Sequence, residues 1–166
     1  MTIKKLLIAN RGEIASRIIL SAHDMGISCV AIYTEADASS PYVRESDQAY
    51  KLTDSYLNAK EIIEIAKNSG AEAVHPGYGF LSENASFANQ VKKAGIKWVG
   101  PSANAIKKMG DKLTAKELAE KANVPTLPMT SDPKKADTIG YPILVKAAAG
   151  GGGKGMRIVK KADQTT

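Results

Sequence analysis

Along the first 110 residues the apolar positions fall into two alternating patterns. Short continuous runs at Ile3–Ala9, Ile27–Tyr33, Ala71–His75 and Ile96–Val99 predict strands of a sheet covered on both faces. Between them, apolar residues recur at helical spacing. Ile14, Ile18, Ala22 and Met25 predict a helix that Gly26 ends in the left-handed position. Asn58 with Glu61 is a capping-box-like start for a helix running to about Gly70. Ser82–Ala94 reads as a further helix, and Ser102 caps a short one ending at Met109. Residues 34–57 are polar and weakly periodic, with one short strand expected over Ala49–Leu52.

Strands alternating with helices imply an α/β fold: a mostly parallel sheet joined by right-handed crossovers. Ligands of such sheets gather at the carboxyl ends of the strands. The loops Asn10–Glu13 and Pro76–Phe80 lie at two of those ends.

After Lys112 the pattern changes. A helix over Leu113–Asn123, an extended Val124–Pro128 and a brief helix over Pro133–Thr138 precede two strand-like runs, Tyr141–Lys146 and Met156–Lys160. Four consecutive glycines, Gly150–Gly153, lie between the runs, with Lys146 before them and Lys154 after. A hairpin with a bare backbone turn and two ammonium groups suits a polyphosphate. The alternative is a flexible hairpin tip without a ligand. Gly150, Gly152 and Gly155 meet the spacing of the dinucleotide fingerprint, but that motif opens a helix and a β-branched run follows here. The P-loop needs Ser or Thr after its Gly-Lys, and Lys154 is followed by Gly155. A nicotinamide-dependent oxidoreductase is thereby disfavoured.

Composition narrows this reading further. At 166 residues, 43% hydrophobic and 24% charged, the chain holds one full domain and a smaller piece. No run of about 18 apolar residues is present, so no helical membrane span is expected. The single cysteine, Cys29, sits in an apolar strand; a buried inert thiol in a reducing, cytoplasmic compartment is the expectation. The net charge of +6 is uneven: 14 basic and 12 acidic residues over 1–112, against nine and five over 113–166. The excess accompanies the glycine loop, as an anion would favour. Nucleic acid is not expected as a partner, because only four basic residues are arginine and no basic stripe carries interleaved aromatics.

Lys112 and Lys146 are the strongest phosphate-binding candidates. Lys146 closes an apolar strand, where an unpaired buried ammonium would be costly and an anion would relieve the cost; the alternative is a lysine that reaches water. In Pro76-Gly-Tyr-Gly-Phe80 the glycines permit positive φ and Tyr78 can be offered to a flat ligand, unless the loop is a structural turn with buried aromatics. His75 reads as hydrogen-bonded scaffold and His23 as a surface residue. The spacing reveals no metal-ligand cluster, nucleophile motif or carboxylate pair.

At these motifs the chain resembles the biotin carboxylases, the ATP-grasp components of biotin-dependent acetyl-CoA, propionyl-CoA, pyruvate and urea carboxylases. The segments that carry the resemblance are Ile8–Ala15, His75–Asn84, Gly100-Pro101, Met109–Lys112 and Lys146–Met156. The resemblance implies a Rossmann-like pre-ATP-grasp domain over residues 1–112 and the beginning of an ATP-grasp domain, with part of its glycine-rich lid, over 113–166. It implies a ligase that uses ATP with Mg2+ or Mn2+ and bicarbonate to carboxylate biotin on a carrier protein or domain, beside a carboxyltransferase. By position, Lys112, Lys146, Gly152, Gly153 and Met156 contact ATP, and Tyr78 lies in the vicinity of biotin. Arg17 falls in the region of the family's homodimer, where Leu20 stands in place of a charged residue of some relatives. Family members are far longer. The chain is therefore expected to be an N-terminal fragment without catalytic or metal-binding residues of its own, inactive in isolation. The competing reading is a non-catalytic dimerisation or docking module of a carboxylase complex.

Overall fold

The computed structural model describes residues 2–110, 112–146 and 155–162. The chain divides into two compact units, Met1–Gly110 and Asp111–Thr166.

The first unit is a five-stranded parallel sheet wrapped by helices. Its elements are β1 (Lys5–Ile8), α1 (Gly12–Asp24), β2 (Ser28–Tyr33), α2 (Pro41–Glu45), β3 (Gln48–Lys51), α3 (Ala59–Asn68), β4 (Ala73–His75), α4 (Ala85–Lys93), β5 (Lys97–Trp98) and α5 (Ala103–Gly110). The strand order is β3-β2-β1-β4-β5, with every neighbouring pair parallel. The chain thus winds outward from β1 in one direction, then returns to add β4 on its other side. The carboxyl ends of β1 and β4 flank the point of reversal, where a crevice forms in doubly wound sheets.

Alternation along the strands divides the core in two. Leu7, Val30, Ile32 and Val74 face a layer built from Ile62, Ala66, Phe87 and Val91 of α3 and α4. Leu6, Ile8, Cys29, Ala31 and Ala73 face Ala15, Ile19 and Ala22 of α1 together with Tyr42. Two helix starts follow from single side chains. Asn58 Oδ1 accepts the Glu61 N–H at 3.3 Å while its Nδ2 donates to Glu61 Oε2 at 3.0 Å, closing a reciprocal cap. Asn84 Oδ1 accepts the Phe87 N–H at 2.9 Å, so α4 begins at Ala85 and not at Ser82. Phe80–Glu83 is instead a 3-10 turn. Residues 34–57 also hold more structure than their polarity indicates: a 3-10 turn at Glu35–Asp37 and α2, which Pro41 opens at its first position.

The second unit contains α6 (Lys112–Lys121), a 3-10 turn at Pro133–Thr138, and an antiparallel hairpin of β6 (Ile143–Lys146) with β7 (Met156–Val159). Among its described residues only Ala136 and Val159 are buried.

Candidate functional site

Three loops meet at the carboxyl edge of the first unit's sheet, and Asn10 organises two of them. This residue follows β1 and is fully buried. Its Nδ2 donates to the carbonyls of Pro76 at 2.7 Å and Tyr78 at 2.9 Å, and its Oδ1 accepts the Arg11 N–H at 2.9 Å. A buried amide with this many partners fixes the loop after β4 against the loop after β1. The fit leaves no room for a side chain between them. A Cβ on Gly77, whose φ is +63°, would stand 2.6 Å from Asn10 Nδ2 and 2.7 Å from Ile14 Cγ2. Gly77 N–H donates to His75 Nδ1 at 3.0 Å, and burial lowers the basicity of that imidazole. His75 is thus hydrogen-bonded scaffold.

The loop after β2 joins through Asp37. Arg11 Nε donates to Asp37 Oδ2 at 2.7 Å, and Arg11 Nη2 pairs with Oδ1 in a bidentate fork. The Tyr56 hydroxyl donates to Asp37 Oδ2 at 2.6 Å and lies 3.0 Å from the Tyr42 hydroxyl. The Arg11 guanidinium and these donors hold the Asp37 carboxyl below the usual carboxylate range, although burial works against them. The Arg11 carbon sits 5.9 Å from the Tyr56 ring centroid, and Tyr56 packs against Phe80 at 5.3 Å. Charge pairing and ring contacts therefore tie the three loops, together with Tyr56 from the loop after β3, into one edge.

On that edge Tyr78 is 64% exposed. Its hydroxyl donates to Glu13 Oε1 at 2.9 Å, which raises the phenol's pKa. The loop is therefore not a turn that hides its aromatics. It presents the Tyr78 ring to solvent while its backbone is clamped from below.

In the second unit, Lys146 and Met156 are cross-strand partners in the hairpin register, so both side chains leave the same face of the ribbon. Lys146 is exposed at the end of β6. Contrary to the expectation from its apolar strand, the strand end is open, so the Lys146 ammonium meets no burial cost for an anion to offset. Lys112 opens α6, with its side chain outside the described residues. Gly152 and Gly153 also lie outside the described residues. The Asn10, Arg11, Asp37 and Tyr56 arrangement is the part that sequence reasoning missed. Its one linear signal is Asn10-Arg-Gly directly after a buried strand.

Residues 2–106 match the family described as Biotin carboxylase, N-terminal domain, and residues 111–166 match Carbamoyl-phosphate synthase L chain, ATP binding domain. The alpha3 subunit of the biotin-dependent acyl-coenzyme A carboxylase of Mycobacterium leprae is 47% identical over 98% of this chain and 29% of its own length. Biotin carboxylase 1 of Bacillus subtilis is 46% identical over 98% of this chain and 39% of its own. The biotin carboxylase domain dimer of Hydrogenobacter thermophilus 2-oxoglutarate carboxylase, crystallised with MgADP, ADP and bicarbonate, superposes with a TM-score of 0.93. It is 44% identical, over 99% of this chain and 39% of that one. The chain thus spans well under half the length of each of these relatives.

Proposed function

The chain belongs to the biotin carboxylase family, and on that premise we propose that it forms the N-terminal part of an ATP-dependent ligase that carboxylates carrier-bound biotin with bicarbonate. The observation that carries this reading is the match of nearly the whole chain to a biotin carboxylase domain crystallised with nucleotide and bicarbonate. Residues 1–112 act as the pre-ATP-grasp domain and 113–166 as the beginning of the ATP-grasp domain, in a cytoplasmic enzyme that also engages a biotin carrier and a carboxyltransferase. The homodimer is read across from the relative crystallised as one.

Within this scheme the chain's residues position substrates. Lys146, with Lys112, supplies ammonium groups for the nucleotide phosphates, and a lysine acts there as a compact point charge. Met156, beside Lys146 on one ribbon face, supplies a polarisable apolar contact for the base. Gly152 and Gly153 bring bare backbone to the phosphates. Tyr78 stands at the biotin, its hydroxyl oriented by Glu13. The bound nucleotide, with Mg2+ or Mn2+, supplies the phosphoryl group that activates bicarbonate. No residue of this chain is assigned to the metal or to the bond-making step, so the isolated chain is expected to be inactive.

A chimera tests the proposal directly: this chain replaces the matching segment of Bacillus subtilis biotin carboxylase 1. Bicarbonate-dependent ATP cleavage and biotin carboxylation are expected. A cooperatively folded chimera that performs neither would overturn the assignment and leave the docking-module alternative.

A further inference from the structure

Away from that edge, the fold assembles a cluster that the linear spacing conceals. His23 lies in the last turn of α1, Cys29 in β2, and Asp47 immediately before β3. One donor atom from each, a ring nitrogen, Sγ and a carboxylate oxygen, lies within 4.8 Å of the other two. His23 Nε2 is 3.0 Å from Asp47 Oδ2. The same carboxylate oxygen accepts the Cys29 N–H at 2.7 Å, and the Asp47 N–H donates to the Cys29 carbonyl at 3.1 Å. These bonds hold the two residues side by side, while the thiol itself donates to the Ile27 carbonyl at 3.7 Å.

We propose that His23, Cys29 and Asp47 form a binding site for a thiophilic divalent cation of the Zn2+ class. Four features support it. First, nitrogen, sulfur and oxygen donors together suit zinc, whereas magnesium and calcium take oxygen. Second, the donors come from α1, β2 and the residue that leads into β3, all held by the packed sheet, so little ordering is left for the metal to impose. Third, the cation would sit beside the C-terminus of a thirteen-residue helix, whose terminal carbonyls favour positive charge. Fourth, His23 and Asp47 have side chains 40% and 47% exposed, which leaves an approach from solvent and an outer position for water.

The thiol itself is fully buried, and desolvation with the nearby Asp47 charge pushes its pKa up to about 11. A divalent cation reverses both effects, since it neutralises the carboxylate and stabilises the thiolate. Binding breaks the Cys29 S–H bond, and with it the thiol's hydrogen bond to the Ile27 carbonyl, and the hydrogen bond between His23 and Asp47. It forms bonds from the metal to Sγ, Nε2 and a carboxylate oxygen, and the thiol proton passes to the buffer. A proton on His23 Nε2 leaves the same way or moves to Nδ1.

Co2+ is the probe, because its thiolate complexes show a near-ultraviolet charge-transfer band. The chain holds a single cysteine, so any such band reports Cys29. Titrating the purified 166-residue chain with Co2+ should produce a saturable band that Zn2+ abolishes in competition. Zn2+ should also raise the melting temperature, as a ligand specific for the native state must. His23→Asn and Asp47→Asn are each expected to weaken Co2+ at least tenfold, and Cys29→Ser to remove the band. Absence of a band in the wild-type chain would overturn the proposal without recourse to any variant. A band left unchanged by both His23→Asn and Asp47→Asn would overturn it too, because Cys29 alone would then be the ligand. Neither result bears on the ATP and biotin assignments.

Discussion

The two units of this chain solve opposite problems. The first places apolar side chains on both faces of its sheet and covers them with helices. It then spends buried polar groups, Asn10 and Asp37, on clamping the loops at one edge. Among the described residues, every buried side-chain nitrogen or oxygen has a partner. The second unit makes a regular hairpin, yet Leu144, Val145, Met156 and Ile158 remain about half exposed or more. Among the described residues, secondary structure thus forms in both units, while an extensive core forms in the first. A binding edge that must hold an aromatic ring in one place belongs on the first kind of unit. On the proposed function the hairpin covers phosphates, a task that asks for local register and charge, and the described strands supply the register.

The largest contrast should appear in stability. Phe87 is fully buried and meets Trp98 edge to face at 5.5 Å. Truncating a buried Phe to Ala costs about 3–5 kcal/mol, so Phe87→Ala should unfold much of the first unit at moderate denaturant. Leu144→Ala, on the exposed ribbon, should stay within about 0.5 kcal/mol of wild type. Denaturant melts followed by Trp98 fluorescence for the first unit and by far-ultraviolet circular dichroism for the second would check both. Comparable losses from the two substitutions would erase the distinction.

Acid should act unequally as well. Asp37 is held below the ordinary carboxylate value of 3.8, first by the Arg11 hydrogen bond. Its folded pKa lies below its unfolded one, so its contribution is present above about pH 4 and is lost as pH falls through the folded value. Glu120 is also shifted down, by Lys116, but it is half exposed and solvent screening leaves little for stability. Asp37→Asn should therefore flatten the acid limb of the melting-temperature profile, whereas Glu120→Gln should leave it unchanged. An acid limb unaffected by Asp37→Asn would remove this residue as the clamp.

These differences show what is legible in the sequence. Continuous apolar runs locate the strands of the parallel sheet because burial on both faces leaves that pattern whatever the tertiary detail. Asn58, Ser102 and Gly26 mark helix ends through purely local chemistry, and the structure places them there: Ser102 Oγ accepts the Ala105 N–H at 3.1 Å, and Gly26 has φ +70°. The start of α4 is misread because Ser82 and Asn84 are both competent caps and only tertiary packing decides between them. Helix α2 escapes because five residues are too few to show a period. The Arg11, Asp37 and Tyr56 clamp is invisible for another reason: its members are 19 to 45 residues apart and meet only when β1, β2 and β3 pair. Tyr78 reads from the sequence as either a ring offered to a ligand or a buried turn aromatic; its exposure excludes burial, while the Glu13 carboxylate that holds its hydroxyl lies 65 positions away.

The smallest expected effect on stability concerns that tyrosine. Tyr78→Phe keeps the ring and loses an exposed hydrogen bond to Glu13, so the melting temperature of the chain should be nearly unchanged. In the chimera the same change should lower biotin carboxylation more than bicarbonate-dependent ATP cleavage. A clear drop in melting temperature with unaltered biotin kinetics would return Tyr78 to a structural role.

The proposed function makes a nucleotide the ligand of the second unit's hairpin, and calorimetric titration of ATP into the chimera tests that most directly. One charge-assisted contact is worth about 1.5–3 kcal/mol. Lys146→Gln should therefore weaken ATP binding by roughly tenfold or more, with the melting temperature held, because Lys146 is exposed. Equal ATP affinity for the chimera and its Lys146→Gln variant would contradict the account.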